Sequence, residues 1–413
     1  MTNKTASQAQ EIGHVGNDLG SGFQKAVASH PMARKPEEEI DYTLTDEEQE
    51  AQRNEFGKDQ NRLYIPSVEL HVTDPDLIKD WGGKRFHGHE ALLHCATIEE
   101  NPLKGRFKHL IENAAIADEE MTKAYLVDFY DRFPKNVRFN VFHLIPQSRQ
   151  KAQQSLEGLG AIKAAEVEKV NRIYADIDRV QHINVISQGS AAVASVEKSG
   201  KDRNLWSMIL DCGDGETSIS VVPTGHISEQ GPSLAIEDKI TGRRIGGREL
   251  SILLLEELHD KGMTHYSIAD TRRMLSQGYG TVKENDPRLQ NWLYYAEGGE
   301  TLREDLSGPM AYTCKRMVVP TADNIQELFR IAGKLYAGKG FGQYEKRQML
   351  SRIYVYGQNS QLDGFVPALK QELKNRKVDA NFLDIPNKRF GAAEGGKFLA
   401  EWSTANNLWK KTE

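Results

Sequence analysis

The sequence predicts an α/β protein built from two similar halves, and three observations carry that prediction. Strand-like runs are followed by helix-like runs twice along the 413 residues. Each half has a glycine-rich turn between two β-type stretches, "NDLGSGFQKAV" and "LDCGDGETSIS". Both turns share the spacing Asp-x-Gly-x-Gly, with Asp18, Gly20 and Gly22 in one and Asp211, Gly213 and Gly215 in the other. One match means little, because Asp and Gly are common turn residues. The same spacing at equivalent places of two halves is a far stronger signal.

With 38% hydrophobic and 27% charged residues, the composition is that of a soluble globular chain long enough for two or more domains. A net charge of −6 argues against coating nucleic acid by bulk electrostatics. Cys95, Cys212 and Cys314 form no CxxC or metal-ligand spacing, which suits a reducing cytoplasm. No run approaches the roughly 18 apolar residues of a membrane span. The polar start "MTNKTASQAQEIGH" lacks a signal-peptide core, and "NNLWKKTE" at the other end offers too little for membrane anchoring. A cytoplasmic protein without membrane attachment is expected.

Along the chain, "HVGNDLGSGFQKAVAS" (14–29) reads as two short strands around the first turn. Residues 31–60 are acidic and poor in apolar residues, and read as an exposed loop or insertion, partly helical and mobile. "LYIPSVELHV" (63–72) is a strand interrupted by Pro66. Residues 107–132 carry a helical pattern, and "RFNVFHLIP" (138–146) is a buried strand. Helical segments follow at 150–159 and 164–177, then a strand and a small-residue helix across "HINVISQGSAAVASVEKSG" (182–200). Past the second turn, "RIGGRELSILLLEELHDKG" (244–262) leads through Gly-Gly into an amphipathic helix. The topology of 263–320 is not legible. "NIQELFRIAGKLY" is a helix, "RIYVYG" (352–357) a strand and "DGFVPALKQELKNRK" a helix.

Turns of this kind expose successive backbone N–H groups and make concave anion sites. Glycine lets the chain approach a phosphate and adopt dihedrals closed to other residues. Ser21 and either Thr217 or Ser218 add hydroxyls, and Lys25 can reach back to a phosphate. Asp18 and Asp211, at strand ends, are placed to hold the waters of Mg²⁺, which takes one or two carboxylates and retains water. Two such hairpins would clamp a nucleoside triphosphate from both sides. GxxxxGK[ST] is absent, and no GxGxxG opens a βαβ unit.

These motifs resemble those of the actin-fold ATPase superfamily, which also includes Hsp70 chaperones, sugar kinases and bacterial actin-like filament proteins. "DLGSGFQKA" is similar to its first phosphate motif and "LDCGDGETSISVV" to its second. "IYVYGQNSQLDGFVPALKQEL" (353–373) resembles the adenosine motif, while "ISQGSAAVAS" and "FGAAEGGKFLAEW" (390–402) resemble the two connecting helices. "YIPSVEL" and "FHGHEALL" match a Pro-Ser strand and the Gly-x-Glu-Ala stretch after it.

The resemblance covers residues 15–402. It implies an actin-like, ribonuclease H-like fold with a nucleotide cleft between the halves. Domain I would span 12–205, with the insertion 31–60 and a small subdomain at about 67–100; domain II would span 206–385, with a small subdomain at about 255–320. Residues 386–405 would pack back on domain I. The implied nucleotide-binding set is Asp18, Leu19, Gly20, Ser21, Gly22, Lys25, Gly213, Asp214, Gly215, Glu216, Thr217, Gly357, Gln358 and Asn359. Gly357-Gln358-Asn359-Ser360 stands where the family has consecutive glycines, so side-chain amides would contact base or ribose. The cofactors implied are ATP, with GTP possible, and Mg²⁺. His87, His89 and His94 in "FHGHEALLH" read as surface or packing histidines rather than a metal site.

Gln188, at the start of the first connecting helix, marks the chemistry. Eukaryotic actin has Gln at the matching place, and many plasmid-segregation relatives have Glu. Gln orients a water for in-line attack on a γ-phosphate, whereas a sugar kinase places an Asp base there. With Asp211, Gln188 is the expected catalytic pair. An Hsp70 needs a further peptide-binding domain. The resemblance therefore leans toward ParM-type plasmid or phage segregation actins: a self-polymerising ATPase that engages DNA through an adaptor. A non-polymerising small-molecule kinase is the alternative, and an enzyme-dead scaffold a third reading.

Overall fold

The computed structural model describes residues 10–20, 22–41, 46–56, 59–112, 115–146, 164–196, 206–223, 233–236, 243–295, 301–335 and 342–409. The chain divides into two compact units: Met1–Pro146 with Ile162–Lys198 and Phe390–Glu413, and Gln147–Ala161 with Ser199–Arg389.

In the first unit, β1 (Glu11–Leu19), β2 (Phe23–Ala28) and β3 (Arg62–Pro66) form an antiparallel meander. β4 (Val137–Ile145) pairs in parallel with β1, and β5 (Val180–Ser187) in parallel with β4, giving the order β3-β2-β1-β4-β5. In β1 the side chains alternate between two faces. Val15 and Leu19 enter a core with Leu126, Phe129, Tyr130, Phe139 and Val141. Gly16, on the other face, lies under the C-terminal helix Gly391–Ala405: a β-carbon on it would stand 1.9 Å from the Ala393 carbonyl oxygen. The same helix crosses Gln188–Val196 so closely that a β-carbon on Gly395 would be 1.7 Å from the Ala191 carbonyl oxygen.

The second unit repeats this topology. β6 (Trp206–Cys212), β7 (Thr217–Pro223) and β8 (Ser233–Ala235) are antiparallel, and β9 (Ile353–Tyr356) and β10 (Phe382–Asp384) add in parallel, in the order β8-β7-β6-β9-β10. Helices Gly247–Asp260, Val318–Leu335 and Phe365–Asn375 contribute Leu250, Leu254, Ile325, Leu328, Phe365 and Leu369 to its core.

The structure differs from several local readings. The helical pattern over 107–132 holds only from Glu119 to Asp131, where the Asp118 carboxylate caps the helix by accepting from the Met121 amide at 3.0 Å. Residues Gly105–His109 are instead a strand, paired with Val68–Val72 and placing Phe107 against the apolar cluster of a small three-stranded sheet. Pro66 ends β3, and Val68–Val72 belongs to that second sheet.

The acidic insertion is more tightly held than its composition suggests. Helix Pro36–Glu39 buries Glu38 and Glu39, which pair with Arg132 and Arg34. Gly88, at φ 58°, lies directly on the Glu38 carbonyl. Between 263 and 320 the chain forms helix Ile268–Ser276, hairpin Trp292–Tyr295 with Thr301–Glu304, and helix Ser307–Lys315. The expected helix at 150–159 lies outside the described residues.

Beneath β1, Asn17 accepts from Gln24 at 2.8 Å and donates to the Tyr174 hydroxyl at 3.0 Å; that hydroxyl also meets His143 Nδ1 at 3.0 Å. Burial of the imidazole pushes His143 down to about 3. The unfolded chain, with its histidine near the ordinary 6.5, takes up a proton the folded chain refuses, so stability is lost as pH falls from 6.5 toward 3. One such group accounts for about 2 kcal/mol between pH 8 and pH 5. Urea unfolding at both pH values should show that His143→Asn, though less stable throughout, loses about that much less than the parent on acidification. An equal loss in both proteins would rule out the neutral buried histidine.

Candidate functional site

At the first hairpin, Gly20 N–H closes the turn on the Phe23 carbonyl at 3.1 Å. Asp18 lies directly across the ladder from Lys25, which donates to Asp18 Oδ2 at 3.2 Å. Gln188 Nε2 donates to Asp18 Oδ1, from the first position of a helix whose start is capped by Ser187 Oγ, accepting from Ser190 N–H at 3.1 Å. The Asp18 side chain is 2% exposed, so both oxygens of a buried carboxylate are satisfied by one cation and one amide. Leu19 turns its side chain into the core and can serve a ligand only through its backbone. Ser21 lies outside the described residues.

The second hairpin repeats the register. Gly213 N–H closes it on the Glu216 carbonyl at 3.0 Å, and Asp211 stands across from Ser218. Among the described residues the amides of Asp214 and Gly215, at the tip, enter no hydrogen bond. They are the donors a phosphate oxygen would meet. Asp211 Oδ2 accepts from the Tyr356 hydroxyl at 2.9 Å. Glu216 pairs with Arg244 at 3.2 Å, and Asp214 with Arg248 at 3.8 Å. Burial, reinforced by the neighbouring Asp211 charge, pushes the Cys212 thiol well up, which leaves it protonated and inert.

Two expectations are corrected here. Thr217 is fully buried and shares the core-facing parity of Ile219 and Val221; its amide donates to the Ile245 carbonyl at 2.8 Å. The hydroxyl on the Asp211 face is that of Ser218, because ladder partners share a face. The hairpin glycines also do not need unusual dihedrals: neither Gly20 nor Gly213 has positive φ. They are tight because a β-carbon would press on the carbonyl that closes the turn, at 3.1 Å from Phe23 O and 3.0 Å from Glu216 O.

The adenosine-motif turn also behaves differently from its reading. Gly357, at φ 89°, lies against the Cys212 backbone, 2.5 Å from where its β-carbon would be to the Cys212 carbonyl oxygen. Asn359 is buried, and its amide donates to the Gly213 carbonyl at 2.6 Å rather than standing clear for a base or ribose. Gln358 opens a short 3-10 turn and is half-buried.

Sequence reasoning passed over Gly246 and Gly247 as site residues. Gly247 N–H donates to the same Gly213 carbonyl at 3.1 Å, and Arg248 N–H to the Asp214 carbonyl at 2.9 Å. A β-carbon on Gly246 would lie 2.4 Å from the Asp214 oxygen and 2.5 Å from the Glu216 nitrogen. The signal was two glycines immediately before an amphipathic helix.

Of the three clustered histidines, His87 bonds Asp128 at 2.6 Å, His94 stacks on Trp81 and His89 lies 3.9 Å from Asp41. Among the described residues no group of three or more His, Cys, Asp or Glu is arranged to hold a metal, and no helix is long and apolar enough to cross a membrane.

Two sheets of one topology, each carrying an Asp-x-Gly-x-Gly hairpin, define an actin-like fold. Solved structures similar to the chain include a MamK double helical filament, at 15% identity and TM-score 0.65, covering 95% of this chain and 99% of that one. A non-polymerising MamK mutant bound to AMPPNP matches at 15% identity and TM-score 0.61, over 95% and 100% of the two chains. MreB5 of Spiroplasma citri bound to ADP matches at 11% identity and TM-score 0.63, over 96% and 98%. No protein-family model and no curated protein sequence matches the chain.

Gly246 offers a direct test of the second hairpin. Gly246→Ala forces backbone against backbone, with no flexible side chain to give way. Nucleotide affinity by isothermal titration should fall at least tenfold while the circular dichroism spectrum is retained. Unchanged affinity would show that the hairpin tip holds no phosphate.

Proposed function

We propose that the protein is a nucleotide-dependent, filament-forming ATPase, with GTP as the alternative nucleotide. The observation that carries this reading is the pair of matching hairpins, each with a carboxylate held at the end of its strand and, in the second, two tip amides outside the protein's own bonds among the described residues. The states of the similar structures, a double helical filament and complexes with AMPPNP and ADP, support it.

The residues fit a phosphate-bound Mg²⁺. Asp211 and Asp18 would hold its water shell, and the ion supplies charge neutralisation at the phosphates. Glycine 20, 22, 213 and 215 let the backbone approach a phosphate, and Lys25 adds a cation beside Asp18. Gln188 orients the attacking water. A carboxylate only accepts, so Asp18 takes the Gln188 amide nitrogen and leaves the amide oxygen turned away, where it can accept from a water. Filament assembly would follow nucleotide binding, and hydrolysis would weaken the filament. The cargo on this reading is plasmid or phage DNA, engaged in the cytoplasm through an adaptor, in keeping with the net charge of −6.

Light scattering with ATP and Mg²⁺ tests the reading. The parent should show a rise and then a fall. Gln188→Ala removes the water-orienting amide and with it one of the two donors to Asp18, leaving Lys25 on the other oxygen. Assembly should persist as a plateau while phosphate release drops roughly 10²–10³-fold, as for loss of one preorganised polar group. No scattering with any nucleotide at micromolar protein would remove the filament reading and favour a small-molecule kinase.

A further inference from the structure

In the second unit, three consecutive contacts join the 356–359 turn to the Asp211 hairpin. Tyr356, 3% exposed, is the ladder partner of Asp211 across β6 and β9 and donates to its carboxylate at 2.9 Å. Gly357 lies on the Cys212 main chain. Asn359 donates to the Gly213 carbonyl at 2.6 Å, and that oxygen also receives the Gly247 amide at 3.1 Å. A single carbonyl thus ties together the hairpin tip, the adenosine-motif turn and the start of helix Gly247–Asp260. The first unit has no counterpart, because Leu144 occupies the register position facing Asp18.

We infer that Tyr356 and Asn359 are positioning residues for the second phosphate hairpin, and that Asn359 does not read the base. The inference rests on the nucleotide site proposed above. An amide that donates to Gly213 from a buried position is committed to the protein, and losing it leaves the half-buried Gly213 carbonyl with one donor fewer. The Tyr356 hydroxyl fixes the orientation of the Asp211 carboxylate, with Oδ2 turned to the phenol. The two side chains therefore act on different quantities: Asn359 on the shape of the phosphate cradle, and Tyr356 on the carboxylate that would hold the metal's waters. Neither effect depends on which base the nucleotide carries.

Two variants of the full chain separate these roles. In nucleotide-free protein, hydrogen exchange at the Gly213 and Gly247 amides should be at least tenfold faster in Asn359→Leu than in the parent. Its dissociation constants for ATP and GTP should rise by the same factor, about tenfold. Asn359→Ala serves the same arm if the leucine variant does not fold. Tyr356→Phe keeps the ring and loses the donor; Mn²⁺ binding to its ADP complex, read by electron paramagnetic resonance, should weaken about 10- to 100-fold, the effect of one hydrogen bond to a charged group. Its metal-free ADP affinity should stay within about twofold. A shift in the ATP-to-GTP ratio greater than about threefold in Asn359→Leu would make Asn359 a base-reading residue and overturn the inference. Unchanged exchange at Gly213 and Gly247 would overturn it equally. If the parent binds no nucleotide, the proposed function falls, while the exchange measurement still decides whether the clasp exists.

Discussion

The molecule depends on main chain packed directly against main chain, with glycine at each point of contact. In the first unit, Gly16 meets Ala393 and Gly395 meets Ala191, so the C-terminal helix seats on β1 and on helix Gln188–Val196 with no side chain between. In the second, Gly246 meets Asp214 and Gly357 meets Cys212. Any β-carbon at these positions would fall 2.5 Å or less from a backbone oxygen, a distance no rotamer change relieves. In the second unit the close approach backs the hairpin from two sides. A turn closed only by its own bond, such as Gly213 N–H to Glu216, would fray, whereas one backed by a helix start and a second turn holds its tip amides in place.

Buried charge plays a different part at the acidic insertion and at the first hairpin. Around the acidic insertion, Glu38 and Glu39 are matched with Arg132 and Arg34, and the insertion is thereby fastened to helix Glu119–Asp131. Breaking such a pair from one side costs about 3–5 kcal/mol because the remaining charge is stranded. The pairs therefore fix where the segment sits, whether or not they add net stability. At Asp18 the buried carboxylate is matched by Lys25 and by the neutral amide of Gln188, and one of those partners is the residue proposed to act on water.

How much of this was legible in the sequence follows from which signals are local. The hairpins were legible because their spacing occurs twice and turn chemistry is read within a few residues. The connecting helices were legible from their small residues. Strand parity was harder. Thr217 and Ser218 are equally plausible hydroxyls until the ladder pairs Asp211 with Ser218, and a one-residue difference moves a side chain to the opposite face. The insertion misled because composition reports charge but not partners: Arg34 lies within the segment itself, and Arg132 stands almost a hundred residues from Glu38. Residues 107–116 lie just before a true helix, so the 3.6-residue period was extended over the end of a strand that pairs with Val68–Val72 and over the short pair Ile111–Glu112 with Ala115–Ile116. Asn359 looked like a ligand group because nothing local shows that its acceptor is Gly213.

The contact between Asp18 and Gln188 links the first hairpin to the residue proposed to orient water, in a way that neither residue suggests alone. A glutamine amide in a pocket can present nitrogen or oxygen, and only the oxygen aligns a water by accepting a hydrogen bond from it. Asp18 Oδ1, as the acceptor, selects one of the two orientations. Lys25 in turn occupies the other carboxylate oxygen, so the order Lys25, Asp18, Gln188 runs from a strand through its ladder partner to a helix start. A ligand or metal that drew Asp18 away would release the amide as well. The orientation of Gln188 is thereby tied to the Asp18 carboxylate, and this coupling uses three side chains already in contact rather than any movement of the sheet beneath them.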